Sequence, residues 1–198
     1  NHKWQVKREE GFLMGMISGK WKSAKSVTTQ QSEEENRLVK LYTSDTADAL
    51  YIHPMEALSL KHDGVVTLQY AIKRAIENIF QIESSEIGVE LMGTEKVPNI
   101  FLYEAAEGSL GILSQFIENA DIFHQIIGKA IKICRYDDKK YCEDASYDDL
   151  LSYYNQRHHN IINRFLIEDA LQKLQICSIE LKGSRADRDY DEHYHTLL

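Results

Sequence analysis

The chain has 198 residues, of which 43% are apolar and 27% charged, and its formal net charge is −8. These values are close to those of folded globular domains, and a chain of this length can bury one sizeable core. With only two prolines in the chain, low-complexity disorder is excluded for most of it. No stretch approaches the roughly 18 apolar residues that a membrane-spanning helix needs.

The beginning of the sequence and its cysteines bear on where the protein acts. The first residue is Asn1 rather than Met, and no signal-peptide pattern follows it. We interpret the sequence as part of a longer protein. Three cysteines are too few for a disulfide scaffold at this length. The sequence therefore predicts a location in the reducing cytoplasm.

Basic residues concentrate near the N-terminus. Residues 1–25 hold six basic and two acidic side chains, which gives +4 there and leaves −12 for the remainder. Nucleic-acid-binding surfaces are normally basic, so Lys20, Lys22 and Lys25 are candidates for contacts with DNA or with a protein partner. On charge alone, a solvated surface segment is the favoured interpretation.

The first predicted elements are short strands. Residues 11–21 read as a hairpin with a turn at Ser18-Gly19, and the polar residues 23–36 read as a loop. Two apolar runs, 37–43 and 49–53, are separated by polar turn residues and predict a pair of antiparallel strands. The sequence thus predicts an N-terminal segment, 1–36, followed by a folded domain.

Helices dominate the rest of the chain. Thr67 is predicted to cap a helix that ends near Ile82, because apolar side chains recur there at spacings of three and four residues. Further strands are predicted at 86–92 and 99–104, and further helices at 109–119, 121–134, 147–154 and 159–177. This order predicts an α+β domain over 37–182, with a small antiparallel or mixed sheet, helices packed on it and a helical C-terminal half. Residues 183–198 read as a polar tail.

Two carboxylates flank a predicted strand-to-helix turn. Glu104 ends the strand, and Glu107 precedes Gly108 at the start of the next helix. Paired carboxylates at a strand end can form a catalytic site. They are also typical of a helix start, where acidic groups interact favourably with the helix dipole. The structural interpretation is favoured from these residues alone.

Cysteines and aspartates cluster after the helix that ends near residue 134. Cys134 and Cys142 are separated by seven residues and can supply half of the four ligands that a structural zinc site normally needs. The nearby candidates for further ligands are Asp137, Asp138, Asp144, Asp149 and His158 or His159. No Cys-x-x-Cys pair is present, so spacing alone favours two unrelated free thiols.

An aromatic and basic corner follows these cysteines. Aromatic and basic side chains in a loop suit stacking on nucleic-acid bases, but they suit a packed corner between helices equally well. The candidate contact residues here are Tyr153, Asn155, Gln156, Arg157 and His159.

Together these segments resemble a known family. Leu151-Ser152-Tyr153-Tyr154-Asn155-Gln156, then His159 and Asn163-Arg164, is similar to the C-terminal part of the MrfA-type zinc-binding domain. Residues 67–71 resemble its central helix, and residues 101–108 resemble its acidic turn. The resemblance covers about 37–177 in one order. That domain occurs at the C-terminus of superfamily 2 DNA helicases and in subunits of DISARM-type defence systems.

The resemblance implies a function and also a departure. It implies a non-catalytic accessory domain, or a partner subunit, of a helicase or translocase in bacterial DNA repair or antiphage defence. The domain would brace the motor and help to guide DNA, with Arg164 added to the contact residues. ATP and magnesium would act only in the separate motor. Cys142 is kept, but Ser146 and Asp149 stand where two family cysteines are expected, so we expect zinc to be absent or weakly bound.

Two alternatives remain open at this stage. The first is a metal-dependent hydrolase or nuclease that uses Glu104, Glu107 and His159, which requires these groups to converge in one cleft. The second is a protein-interaction module without a nucleic-acid role, which the net charge of −8 permits. By itself the chain is not expected to be an enzyme, and no membrane partner is expected.

Overall fold

The computed structural model describes residues 11–22, 35–42, 44, 46–94, 97–106, 108 and 110–180. The chain forms two compact units, Asn1–Thr46 and Ala47–Leu198. The predicted loop 23–36 lies almost entirely outside the described residues, as does the predicted tail 183–198.

The first unit is a small antiparallel sheet of three strands in the order β2-β1-β3. Strands β1 (Phe12–Gly15) and β2 (Trp21–Lys22) form the predicted hairpin. Gly19 adopts a φ of +65°, which only glycine reaches at little cost. Strand β3 (Asn36–Val39) pairs with β1, so the predicted pairing of 37–43 with 49–53 is wrong. As a result, this unit reaches past residue 36, where the sequence placed its end.

The second unit contains an antiparallel sheet in the order β4-β6-β5. Its strands are β4 (Ala49–Ile52), β5 (Ile87–Thr94) and β6 (Val97–Glu104). Strands β5 and β6 confirm the predicted strands and are longer, because Gly93 pairs with Pro98 inside the hairpin rather than in a loop. Ile100 and Leu102, on alternate positions of β6, are fully buried, which identifies the face that carries the core.

Helix α1 (His62–Phe80) is the central element of this unit. It contacts β5, β6 and a later helix, α3 (Ala120–Cys134), and most of its residues between 64 and 77 are buried. It begins at His62 rather than at the predicted cap Thr67, whose hydroxyl instead donates to the Asp63 carbonyl at 2.8 Å. Burial on several faces explains why the apolar stripe alone underestimated the length of α1.

The C-terminal half combines helices with long stretches of turns. Its helices are α2 (Gln115–Glu118), α3 (Ala120–Cys134) and α4 (Glu168–Ile176). The predicted helix 121–134 is confirmed as α3. The predicted helix 109–119 is reduced to the short α2. Turns and short 3₁₀ segments, Tyr153–His158 and Arg164–Leu166, replace the predicted helix 147–154 and the first half of 159–177, whose second half forms α4. The predicted α+β class, with helices packed on a small antiparallel sheet, is confirmed.

One buried ion pair fixes the chain between α1 and β5. The Lys73 ammonium donates to the Ser84 carbonyl at 2.6 Å and to the Ile87 carbonyl, and it lies 3.2 Å from the Glu77 carboxylate. Burial lowers the pKa of Lys73, and the nearby Glu77 carboxylate partly opposes this shift. Across the described ranges, no helix is both long and apolar enough to cross a membrane.

Candidate functional site

The buried guanidinium of Arg164 organises the loop that follows α3. It donates to the carbonyls of Cys134 at 2.7 Å, Arg135 at 3.2 Å, Tyr141 at 2.6 Å and Glu143 at 2.9 Å. Only 2% of Arg164 is exposed. Arg164 therefore holds together backbone that would otherwise lack partners at the end of α3. The prediction that it contacts DNA or a motor is corrected, because its side chain faces inward.

Aromatic rings surround the same guanidinium. Its central carbon lies 4.2 Å from the ring centroid of Phe165, 4.6 Å from that of Tyr141 and 5.8 Å from that of Tyr136. The Tyr136 hydroxyl donates to the Arg164 carbonyl at 2.6 Å. Cation–π contacts are strongest where water is excluded, so these rings stabilise a charge that burial alone would disfavour.

Asp149 closes the other end of this loop. One carboxylate oxygen accepts from the Ser146 amide at 2.7 Å and from the Leu150 amide. The other accepts from the Ser146 hydroxyl at 2.9 Å and from the Tyr141 hydroxyl. Asp149 is fully buried. Its four donors occupy the acceptor positions of a carboxylate, so its predicted role as a third zinc ligand is corrected.

The cysteines lie in two different environments. Cys134 is fully buried at the end of α3, and burial raises the pKa of its thiol to about 11. Cys142 is exposed, and both thiols are free. In the part of the chain that the structure describes, no group of three His, Cys, Asp or Glu side chains is arranged to hold a metal. Because Asp149 already accepts from four donors, the residues present here do not fit zinc.

The corner after this loop is built on a buried amide. Asn155, 1% exposed, donates to the Leu150 carbonyl at 2.7 Å and accepts from the Ser152 amide at 2.8 Å. His159 Nε2 lies 2.9 Å from the Asn155 side-chain oxygen and 3.0 Å from the Ser152 carbonyl. Asn155 is thus a structural residue, which corrects its prediction as a contact residue. His159 is half-buried and held in place.

Other side chains of the corner face solvent. Tyr153 is 77% exposed and Tyr154 61%, and their rings meet edge to face with centroids 5.8 Å apart. Gln156 and Arg157 are also exposed, and Arg157 pairs with Glu90 of β5 at 3.3 Å. The structure therefore presents two adjacent tyrosines and an arginine on a firmly held turn.

His158 takes part in a contact that sequence reasoning missed. Its Nδ1 lies 2.7 Å from the Tyr70 hydroxyl on α1. Burial, together with the neighbouring charges of Arg157 and His62, lowers the pKa of His158 to about 4. No sequence signal distinguished His158 from the adjacent His159, because the contact joins residues that are far apart in the chain.

The acidic turn has a structural role. The Glu104 carboxylate accepts from the amides of Leu110, Gly111 at 3.0 Å and Leu113 at 2.8 Å, and Glu104 is 2% exposed. Glu107 lies outside the described residues. A cleft of about 400 Å³ is lined by His159, Asp63 and Asp144 but not by Glu104. The prediction that Glu104 is a catalytic residue of a hydrolase is therefore corrected, because its carboxylate binds backbone amides of the turn.

The predicted basic contacts of the N-terminal unit are only partly described. Lys20 is exposed after the β1–β2 turn. Lys25 and the side chain of Lys22 lie outside the described residues.

With this geometry described, comparison with known proteins finds one family similarity. Residues 68–148 match the model of the MrfA Zn-binding domain. The match confirms the resemblance seen in the sequence over most of α1, the β5–β6 hairpin, α3 and most of the following loop. No curated protein and no solved structure matches the chain.

Proposed function

We propose that this chain is a non-catalytic accessory domain, or a partner subunit, of a superfamily 2 DNA helicase or translocase. In bacterial DNA repair or antiphage defence it would brace the motor and help to guide DNA. The MrfA Zn-binding domain match over 68–148 supports this proposal. ATP and magnesium would act in the separate motor, and the cytoplasm is the proposed location.

The observation that carries the DNA role is the exposed corner. Tyr153 and Tyr154 offer two aromatic faces, and Arg157 supplies a positive charge beside them. Stacking of a base on an aromatic side chain is worth about 1–3 kcal/mol and tolerates any sequence. Because the corner is held by Asn155 and Ser152, the two rings need little ordering when a strand binds. Single-stranded DNA is the form that can stack there.

The net charge of −8 sets an upper limit on the strength of this contact. Few phosphates can be neutralised by Arg157 and its surroundings, so the chain alone would bind DNA weakly and with a small salt dependence. This fits a guiding role better than independent, tight binding. The motor would supply most of the affinity.

The first unit supports a protein partner. Its sheet and the following residues leave large apolar side chains in water: Ile17 is 87% exposed, Trp21 75%, Leu41 81% and Tyr42 92%. Apolar side chains grouped on one small unit commonly mark an interaction surface. The motor is the proposed occupant.

The test is fluorescence anisotropy of a labelled single-stranded oligonucleotide with the full chain at low salt. Replacing both exposed tyrosines (Tyr153→Ala with Tyr154→Ala) is expected to weaken binding about tenfold. Arg157→Met is expected to weaken it less and to reduce the salt dependence. The matched control is Tyr51→Ala, since Tyr51 is 54% exposed on β4.

Two outcomes would contradict the proposal. If the corner variants bind like the Tyr51 control, the corner is not the DNA contact. If no binding is detected for the chain alone or in complex with a motor, a protein-interaction module becomes the better assignment.

A further inference from the structure

Most of the loop between α3 and the corner lies in the region that matches a zinc-binding family. Several of its polar side chains nevertheless already have hydrogen-bond partners within the protein. Two groups are involved: Asp149 with Ser146 and Tyr141 at one end, and Arg164 at the other. We infer that this chain holds residues 134–150 by a metal-free clasp, made by Asp149, Tyr141 and Arg164, in place of the zinc of its family.

The first support is the contact between Ser146 and Asp149. These residues occupy positions at which the resemblance expects cysteines. In this chain they bond to each other twice, through the Ser146 amide at 2.7 Å and its hydroxyl at 2.9 Å. A hydrogen-bonded cross-link therefore joins the same two positions that thiolates would join through a metal. The Asp148 amide adds a further bond to the Ser146 hydroxyl at 3.2 Å.

The second support is that Tyr141 connects the two ends of the clasp. Its hydroxyl donates to Asp149, its carbonyl accepts from Arg164 at 2.6 Å, and its ring lies under the Arg164 guanidinium. The negative and positive groups thus hold the same residue from two sides. A structural zinc does the equivalent work by tying distant ligands to one point.

The third support is that the acceptor positions of Asp149 are already occupied. A metal at this carboxylate would have to displace the donors of Ser146, Leu150 and Tyr141.

The clasp is tested on the purified full chain by elemental analysis for zinc and by thermal unfolding before and after EDTA. We expect far less than one zinc per chain and no change in Tm on chelation. Cys142→Ser is expected to leave Tm unchanged, because that thiol is exposed. Stoichiometric zinc, or a Tm that falls with EDTA or with Cys142→Ser, would overturn the inference.

The clasp itself is tested by two variants with neighbouring controls. Asp149→Asn places an amide where four donors converge, and it is expected to lower Tm by roughly 5–10 °C. Tyr141→Phe removes one donor and is expected to lower Tm by a smaller amount. The controls are Asp148→Asn and Tyr147→Phe, both at exposed positions.

Tyr141→Phe keeps the test decisive if Asp149→Asn does not fold, because it removes only a hydroxyl. If both variants unfold at the same temperature as their controls, the clasp is not what holds the loop and the inference fails. This result is distinguishable from failure of the proposed DNA role, since Tyr153 and Tyr154 are left intact.

Discussion

The loop 135–150 and the corner 153–158 are neighbours in the chain, but they use polar side chains in opposite ways. The charges that hold the loop, Asp149 and Arg164, point inward, and both residues are at most 2% exposed. The corner buries Asn155 alone among its residues and turns Tyr153 and Arg157 outward. The difference shows that residue type alone does not distinguish a structural polar residue from one that is available for binding. The two are distinguished by whether the hydrogen-bonding groups of the side chain are satisfied inside the protein.

The sharpest test of this comparison exchanges the two arginines for methionine. Arg164→Met leaves four carbonyls without their charged donor, so we expect it to lower the free energy of unfolding by about 3 kcal/mol or more. Arg157→Met removes an exposed pair with Glu90, so we expect a change of about 0.5 kcal/mol or less. Urea unfolding followed by circular dichroism measures both. Equal losses would remove the distinction between the two regions.

A second test extends the comparison to glutamates. Glu104→Gln turns an acceptor of three backbone amides into a neutral amide, and we expect a loss of about 2 kcal/mol. The control Glu90→Gln changes a carboxylate that is half exposed and pairs only at the surface. The same urea experiment compares the two variants. If Glu104→Gln is as stable as the control, the buried acidic turn is not a structural cap.

The smallest effect is expected from pH at the corner. The pKa of His158 falls from 6.5 to about 4 on folding, so the unfolded chain takes up the proton first as pH drops. The contribution of neutral His158 to stability is therefore complete above pH 6.5 and is lost between pH 6.5 and 4. His158→Gln is expected to reduce this part of the pH dependence, measured as urea midpoints at pH 7.5 and pH 5.

The matched control for this titration is His159→Gln, at the adjacent position. A pH dependence that stays the same in His158→Gln would contradict the assignment to His158. A dependence that disappears in both variants would assign it to the whole corner.

The sequence predicted the resemblance to the MrfA Zn-binding domain, the α+β class, α3 and both strands of the β5–β6 hairpin. These features depend on local periodicity and on motifs that lie close together in the chain. It failed for residues 147–167, where the apolar spacing suggested helices. There, Asn155 satisfies backbone groups of nearby residues, and Arg164 satisfies carbonyls of residues 134–143, and both sets of bonds compete with helix formation. The start of α1 was missed because Gly64, Val65 and Val66 are buried outside the apolar stripe, while His62 and Asp63 before them are polar and exposed.

The candidate site divides in the same way. The sequence singled out Cys134, Asp149 and Arg164 as residues of interest, and it expected zinc to be absent or weakly bound. Only the structure shows that Asp149 and Arg164 hold the loop. Asp149 accepts from amides and hydroxyls, and Arg164 donates to carbonyls, and the positions of these partners depend on the folded chain. The Tyr70–His158 contact joins residues that no local pattern connects.

By itself, then, the sequence determined which elements can form and which family their order resembles, since periodicity, turn residues and short motifs are local properties. The tertiary structure decided which polar side chains are satisfied inside and which remain exposed. That choice depends on which backbone groups from distant segments are brought within hydrogen-bond distance, and it separates the clasped loop from the exposed corner.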